Sequence, residues 1–270
     1  MKLSHYSPGT AMEPRTVAAI HGLQWISTGW ALFRKNPPVW IALSAFLFLA
    51  SKLLLDIRYV GLLAVLLAPN VIAGLAHGAQ ALDQGKPLRF AYVASGFMRH
   101  GVRLVTIGGL SLVSQLVIMF VMTALAGDAV STISKISGRP ISDPDVVSRL
   151  RELAPTLVTA LGVGTVLSLV LVAATWFAPL LVFFDDAHPL AAMAASLKAC
   201  LRNSLAFLVF GSVTLAALIA LTPLVVASRQ LDLGIWLLAP VLVPSIYAGY
   251  RDIFRPPAAV AGQPDRARIP

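Results

Sequence analysis

Long apolar runs alternate with short clusters of charge and proline along this chain. The runs cover residues 39–55, 59–82, 104–126, 155–184, 204–227 and 233–250. A helix crosses a bilayer core with roughly 18–20 apolar residues, so the pattern predicts six membrane helices. The run at 39–55 is the shortest and holds Lys52, whose stem lets the ammonium reach the interface. Serine, glycine and proline inside the runs are acceptable in lipid, where neighbouring helices re-satisfy freed backbone groups.

A different pattern precedes three of these runs. In residues 16–35, Ile20, Leu23, Trp25, Ile26, Trp30, Leu32 and Phe33 form a broad apolar face, and His21, Gln24, Ser27, Thr28, Arg34 and Lys35 lie elsewhere. Two tryptophans and a basic end suit a helix lying among lipid headgroups. Asn36-Pro37-Pro38 stops it, because proline removes donors and biases the residue before it away from helix. A second such helix is expected over 88–100, with Arg89, Phe90, Tyr92, Phe97 and Arg99, and with Pro87 in its first turn. A third follows Asp185-Asp186-Ala187-His188-Pro189 and closes on Lys198 and Arg202. Residues 127–152 are more polar, and Asp143-Pro144 reads as an N-cap with proline at the first helical position of a short helix over 144–153.

The parts repeat. Asp83-Gln84-Gly85-Lys86-Pro87-Leu88 and Asp185-Asp186-Ala187-His188-Pro189-Leu190 share Asp, Pro and Leu in step, and the same offset puts Gly109 on Gly211. Leu32-Phe33-Arg34-Lys35-Asn36 resembles Ala199-Cys200-Leu201-Arg202-Asn203. Ala68-Pro69 through Ala73-Gly74 echoes Val243-Pro244 through Ala248-Gly249, with Phe177-Ala178-Pro179 a shorter version. Repeats of this length are sought before any fold is assigned. The expected fold is all-α: a polytopic membrane protein with six transmembrane helices and three cytoplasmic amphipathic interfacial helices in a threefold hairpin repeat. Residues 1–15 are expected to be flexible, 16–254 to form one membrane domain with units 16–82, 83–184 and 185–250, and 255–270 to be a disordered tail. Residues 1–15 also lack the apolar core of a signal peptide, so the first membrane helix is expected to act as the insertion signal.

Composition agrees. Hydrophobic residues make up 57% and charged residues 12%, against about 25% charged in soluble domains; mean hydropathy is +0.80. The net charge of +9 punctuates the helices rather than forming one aromatic-laced patch, so nucleic acid is not an expected partner. On the six-helix layout, 14 of the 21 Lys and Arg fall on the side of the termini and the interfacial helices. Positive residues stay inside, which predicts a bacterial inner-membrane protein with both termini cytoplasmic.

Cys200 is the single cysteine. It allows no intrachain disulfide and no thiolate cluster. On the predicted topology it should react with an impermeant thiol reagent only after the cytoplasmic face is opened. Labelling in intact cells would reverse the orientation.

Candidate chemistry is sparse. Asn70, Gly74, His77, Gly78 and Gln80 cluster on the second span, and Asn70 and His77 share a face two turns apart. Gly74 and Gly78 form a small-xxx-small pattern that permits close helix approach, and Gln115, with Ser111 and Ser114 nearby, could meet this face. Such groups either pack helices or line a polar path. Asp185, Asp186 and His188 are too few to close a metal site and suit the positive end of the following helix. Arg34, Lys35, Arg89, Arg99, Lys198 and Arg202 are candidates for contact with anionic headgroups, each contributing about 1 kcal/mol near such a surface. No nucleophile–base pair, phosphate loop or nucleotide fingerprint is present, and neither cofactor nor metal is expected.

Gly29-Trp30-Ala31-Leu32-Phe33-Arg34-Lys35-Asn36-Pro37, Pro179-Leu180-Leu181-Val182-Phe183-Phe184-Asp185-Asp186 and Pro244-Ser245-Ile246-Tyr247-Ala248-Gly249-Tyr250-Arg251-Asp252 resemble a family of uncharacterised bacterial six-helix integral membrane proteins. The likeness covers roughly residues 20–255. More distantly the chain looks like the membrane domain fused to some glycerophosphodiester phosphodiesterases, without their catalytic domain. The resemblance implies a membrane fold and no activity. The expected function is a non-enzymatic inner-membrane protein that organises lipid or partner proteins, including a membrane-protein partner or a second copy. The alternative is a small permease with a polar path near the second span.

Overall fold

The computed structural model describes residues 13–55, 60–127, 129–138, 140, 142–230 and 232–255. The expected turn at 56–58 and the tail beyond 255 fall outside them. Twelve helices follow in order among the described residues: α1 (His21–Lys35), α2 (Pro37–Leu55), α3 (Val60–Asp83), α4 (Ala91–Met98), α5 (Gly101–Ala126), α6 (Ala129–Ile136), α7 (Pro144–Trp176), α8 (Ala178–Asp185), α9 (Pro189–Arg202), α10 (Ser204–Ala220), α11 (Thr222–Ser228) and α12 (Leu233–Phe254).

Among the described residues, four stretches are long and apolar enough to cross a membrane: Gly61–Asp83, Gly101–Ala126, Pro144–Asp185 and Leu233–Phe254. Two bent pairs bring the number to six if each is one span. His21–Lys35 meets Pro37–Leu53 at 101°, and Pro189–Arg202 meets Ser204–Ala220 at 84°. Proline and asparagine make these corners. Pro37 has no N–H to continue α1. Asn203, 2% exposed, accepts from the Val17 N–H at 2.7 Å and donates to Arg15 O at 3.0 Å and Ala199 O at 2.9 Å.

Several boundaries differ from the sequence expectation: the helix expected from residue 16 starts at His21, and the run at 204–227 breaks at Leu221 into α10 and α11. Helix α4 begins at Ala91, so Pro87 lies in the preceding loop; the Gly85 turn (φ 76°) and the proline hold 86–89 out of helix. The short helix expected over 144–153 is the first part of α7, which continues through Pro155. Its start is as read: Asp143 accepts from the Asp145 N–H at 3.0 Å and Pro144 follows. The fourth run breaks between α7 and α8, where Ser196 of α9 inserts its hydroxyl. Ser196 Oγ accepts from the Phe177 N–H at 2.9 Å and donates to Ala173 O at 2.7 Å. Those two groups would otherwise bond each other, so an inserted side chain is the cause of the kink.

Each of α1, α4 and α9 packs chiefly on a helix outside its own hairpin: α1 on α12, α4 on α3 and α9 on α7. Close approach is built in by glycine. A Cβ at Gly29 would stand 2.0 Å from Ser245 Oγ, at Gly96 1.9 Å from Asn70 O, and at Gly74 2.5 Å from Val93 O. The core lies at this end of the bundle. Phe177 through Phe183 are all buried and sit against α3, α5 and α9. Around them the Trp25–Phe207, Phe177–Phe207 and Phe177–Phe254 rings meet edge-on at 5.3, 5.8 and 5.7 Å. The outer faces of α5, α7 and α10 carry exposed large apolar side chains, among them Phe120 at 74% and Val158 at 68%, a surface suited to lipid rather than water.

Gly96→Ala should lower stability in detergent by about 1–3 kcal/mol, the usual cost of overpacking, read as a lower thermal midpoint. Gly211→Ala, which meets open space, should leave the midpoint unchanged.

Candidate functional site

The end of the bundle that carries α1, α4 and α9 also gathers most of the described charge. Asp83, Asp185 and Asp252 stand at or near the last residue of α3, α8 and α12. Asp83 accepts from Tyr247 Oη at 3.2 Å and pairs with Arg251. Asp185 accepts from Tyr250 Oη at 2.5 Å and from Arg255 at 2.5 Å. Asp252 accepts from Trp25 Nε1 at 2.9 Å, contacts His21 Nδ1 at 2.7 Å and pairs with Arg15. Asp186, in left-handed conformation at φ 56°, pairs with Arg103 and lies 3.3 Å from His100. Asp185 and Asp186, expected to serve the start of the helix after Pro189, instead close the end of α8, where cations and the Tyr250 phenol hold them.

Only part of this was signalled in the sequence. The spacing Asp83…Pro87 and Asp185…Pro189 recurs as Asp252…Pro256, although Pro256 lies outside the described residues. That third copy marks the carboxylate whose partners, Arg15, His21 and Trp25, lie near the opposite end of the chain.

The intramembrane polar residues separate. Asn70 is completely buried and donates through Nδ2 to Gly96 O at 3.0 Å and Gly101 O at 3.2 Å. It thereby holds the turn between α4 and α5. His77 Nδ1 lies 2.9 Å from Ser95 Oγ. Ser95 Oγ also lies 2.5 Å from Tyr92 O, which ties the His77 ring to the backbone of α4. The imidazole also meets Tyr92 and Phe183 at 4.7 and 5.3 Å between ring centres. Gln80 is half-buried near the end of α3, and Gln115 is exposed on α5. The structure brings Asn70 and His77 against α4 and leaves Gln115 apart from them.

The six basic candidates also divide. Lys198 and Arg202 bind Glu13, at 2.7 and 3.3 Å. The hydrogen bond and charge of Lys198 hold the Glu13 carboxyl below its ordinary value of 4.5. Lys35 donates to Leu82 O at 2.8 Å. Arg99 stacks its guanidinium over Phe183 at 5.3 Å. Arg34, Arg89 and Arg99, with Lys86 nearby, have no carboxylate partner among the described residues. Beside them Trp30, Phe90, Phe97 and Met98 are exposed. Free cations interleaved with exposed aromatic and apolar side chains are the chemistry of a membrane–water interface.

Cys200 is a poorer reporter than its sequence position promised. It is buried, its Sγ lies 3.5 Å from Ala173 O, and burial pushes the thiol up to about 12. Little thiolate forms at neutral pH, and the thiolate is the reactive species.

The chain is 29% identical over 262 residues to a probable inner membrane protein of Burkholderia thailandensis, covering 90% of this chain and 94% of that one. No protein-family profile matches the chain, and no solved structure matches it. With its long apolar helices, this is a membrane protein, similar along nearly its whole length to an inner-membrane one.

Asp252→Ala should destabilise by about 1–3 kcal/mol, because the buried Trp25 indole and the partly buried His21 lose their acceptor. His77→Ala should lose less, near the average of about 0.6 kcal/mol for membrane hydrogen bonds. Thermal unfolding in one detergent compares them. Glu13 contributes above its ordinary pKa, and that contribution fades as pH falls through the lowered value. Proteolysis near residues 13–15 should therefore rise on acidification, and Glu13→Gln should abolish the pH dependence.

Proposed function

We propose that this protein is a non-enzymatic inner-membrane protein that organises anionic lipid, and proteins that travel with it, at its cytoplasmic surface. In this reading α1, α4 and α9 are interfacial helices. The spans are α2, α3, α5, α7 with α8, α10 with α11, and α12. The units 16–82, 83–184 and 185–250 form a threefold repeat, and both termini are cytoplasmic. The observation that carries it is the α4 surface, where Lys86, Arg89 and Arg99 have no carboxylate partner among the described residues, beside exposed Phe90, Phe97 and Met98. The right-angled turns before α2 and α10 and the packing of α1, α4 and α9 on α12, α3 and α7 support the repeat. The bonds of Asn70 and His77 to α4 and its flanks support helix packing over a polar path. We extend the reading to kinship with the six-helix bacterial family and, more distantly, with the membrane domain beside glycerophosphodiester phosphodiesterases.

The test is lipid content after purification from native membranes. Replacing Arg34, Arg89 and Arg99 together by Gln should deplete co-purified anionic lipid, since each removes about 1 kcal/mol of attraction. Replacing Lys198 and Arg202, which share the Glu13 carboxylate, should deplete it less. Equal lipid in wild type and the triple variant would refute the proposal. For topology, Gln84→Cys in a Cys200→Ala background gives an exposed thiol, which should react only once the cytoplasmic face is open.

A further inference from the structure

Helices α2, α3 and α12 border a partly open cavity of about 600 Å³, within the size range of small-molecule sites. Leu43 and Leu47 of α2, Leu67 and Val71 of α3, and Ala239 of α12 form its body. Phe97 and Trp236 also border it. It follows α2 from Trp40 to Ser51, a rise of roughly 16 Å at 1.5 Å per residue. The shape is long, narrow and lined by hydrocarbon.

Such a space does not stay empty or fill with water. An unfilled void of this size forfeits the packing contacts of every lining side chain. Water needs two to four polar partners per molecule, and the side-chain lining offers few. Ser51 already donates to Phe48 O at 2.7 Å. The polar groups left over lie together, one turn apart on α2. Both Trp40 and Ser44 line the cavity, and neither the indole N–H nor the hydroxyl has a hydrogen-bond partner among the described residues; the indole nitrogen is covered by its neighbours, which leaves the Ser44 hydroxyl as the donor within reach. They stand in the first two turns of α2, next to the end of the bundle that carries the basic helices.

We infer that this cavity holds one acyl tail of a membrane phospholipid, with the ester carbonyl beside Trp40 and Ser44. The hydrocarbon walls take the tail. The Ser44 hydroxyl selects an esterified chain over plain hydrocarbon, and its place in the second turn of α2 suits an ester just beneath a headgroup. The site rests on the reading of α2, α3 and α12 as spans, and not on the basic surface.

The experiment uses the full-length protein in vesicles containing phosphatidylglycerol with a photoactivatable diazirine on its palmitoyl chain. After irradiation the cross-linked peptides are mapped. Adducts are expected on Leu43 and Leu75, which are 1% and 8% exposed and line the cavity away from bulk lipid. Ala68→Phe, which fills the space from α3, should reduce these adducts several-fold, and Ser44→Ala should weaken them. The Arg34, Arg89 and Arg99 to Gln variant should retain them, which separates this site from the headgroup surface. Adducts confined to outward residues such as Phe120 and Leu208, or unchanged by filling the cavity, would overturn the inference. So would equal labelling by a diazirine alkane lacking an ester. If Ala68→Phe does not fold, Ala239→Leu fills the cavity from α12, and the wild-type map remains decisive.

Discussion

The C-terminal end of an α-helix carries the negative end of its dipole, so an aspartate there is disfavoured unless donors reach it from elsewhere. Asp83, Asp185 and Asp252 all occupy such ends, and the donors come from across the fold. Helix α12 supplies Tyr247 and Arg251 to Asp83, and Tyr250 to Asp185, with Arg255 just beyond it. Asp252 on α12 is in turn held by Arg15, His21 and Trp25. The last long helix is thereby tied to α3, α8 and α1, joining the two ends of the chain.

Close packing completes what the charges orient. Gly29 lets α1 lie against Ser245 of α12, and Gly96 lets α4 lie against Asn70 of α3. On α9 the small residue is Ser196, which enters the backbone of the α7–α8 break and satisfies both groups there. Within lipid, where water cannot substitute for a missing partner, Asn70, Ser196 and Asn203 are tolerated because each binds backbone at a corner or kink. Such a scaffold presents α4 flanked by cations that have no carboxylate partner among the described residues, the arrangement from which lipid recognition is proposed.

The long helices were legible because lipid imposes a length and excludes charge, a constraint written locally in the chain. The sharp turns at Pro37 and Asn203 were legible for a similar reason, since proline and the basic–polar junction act within a few residues. Contacts between distant segments were not. Nothing near Asp252 announces Arg15, and nothing near Lys198 announces Glu13. The expected division of the basic residues into one equivalent set therefore dissolved once partners were visible. Continuity through Pro155 and the loss of helix before Ala91 also escaped local reading. The first depends on a helix already running past the proline, and the second on the left-handed turn at Gly85.

The central claim is that span-end carboxylates close the fold by charge pairing, and the Asp83–Arg251 pair tests it most directly. Thermal unfolding should be measured in one detergent for Asp83→Arg, Arg251→Asp and the doubly exchanged protein. The account predicts that each single change lowers the midpoint, through like charges brought together, and that the double exchange recovers most of the loss. Losses that simply add in the double variant, as for independent sites, would contradict it.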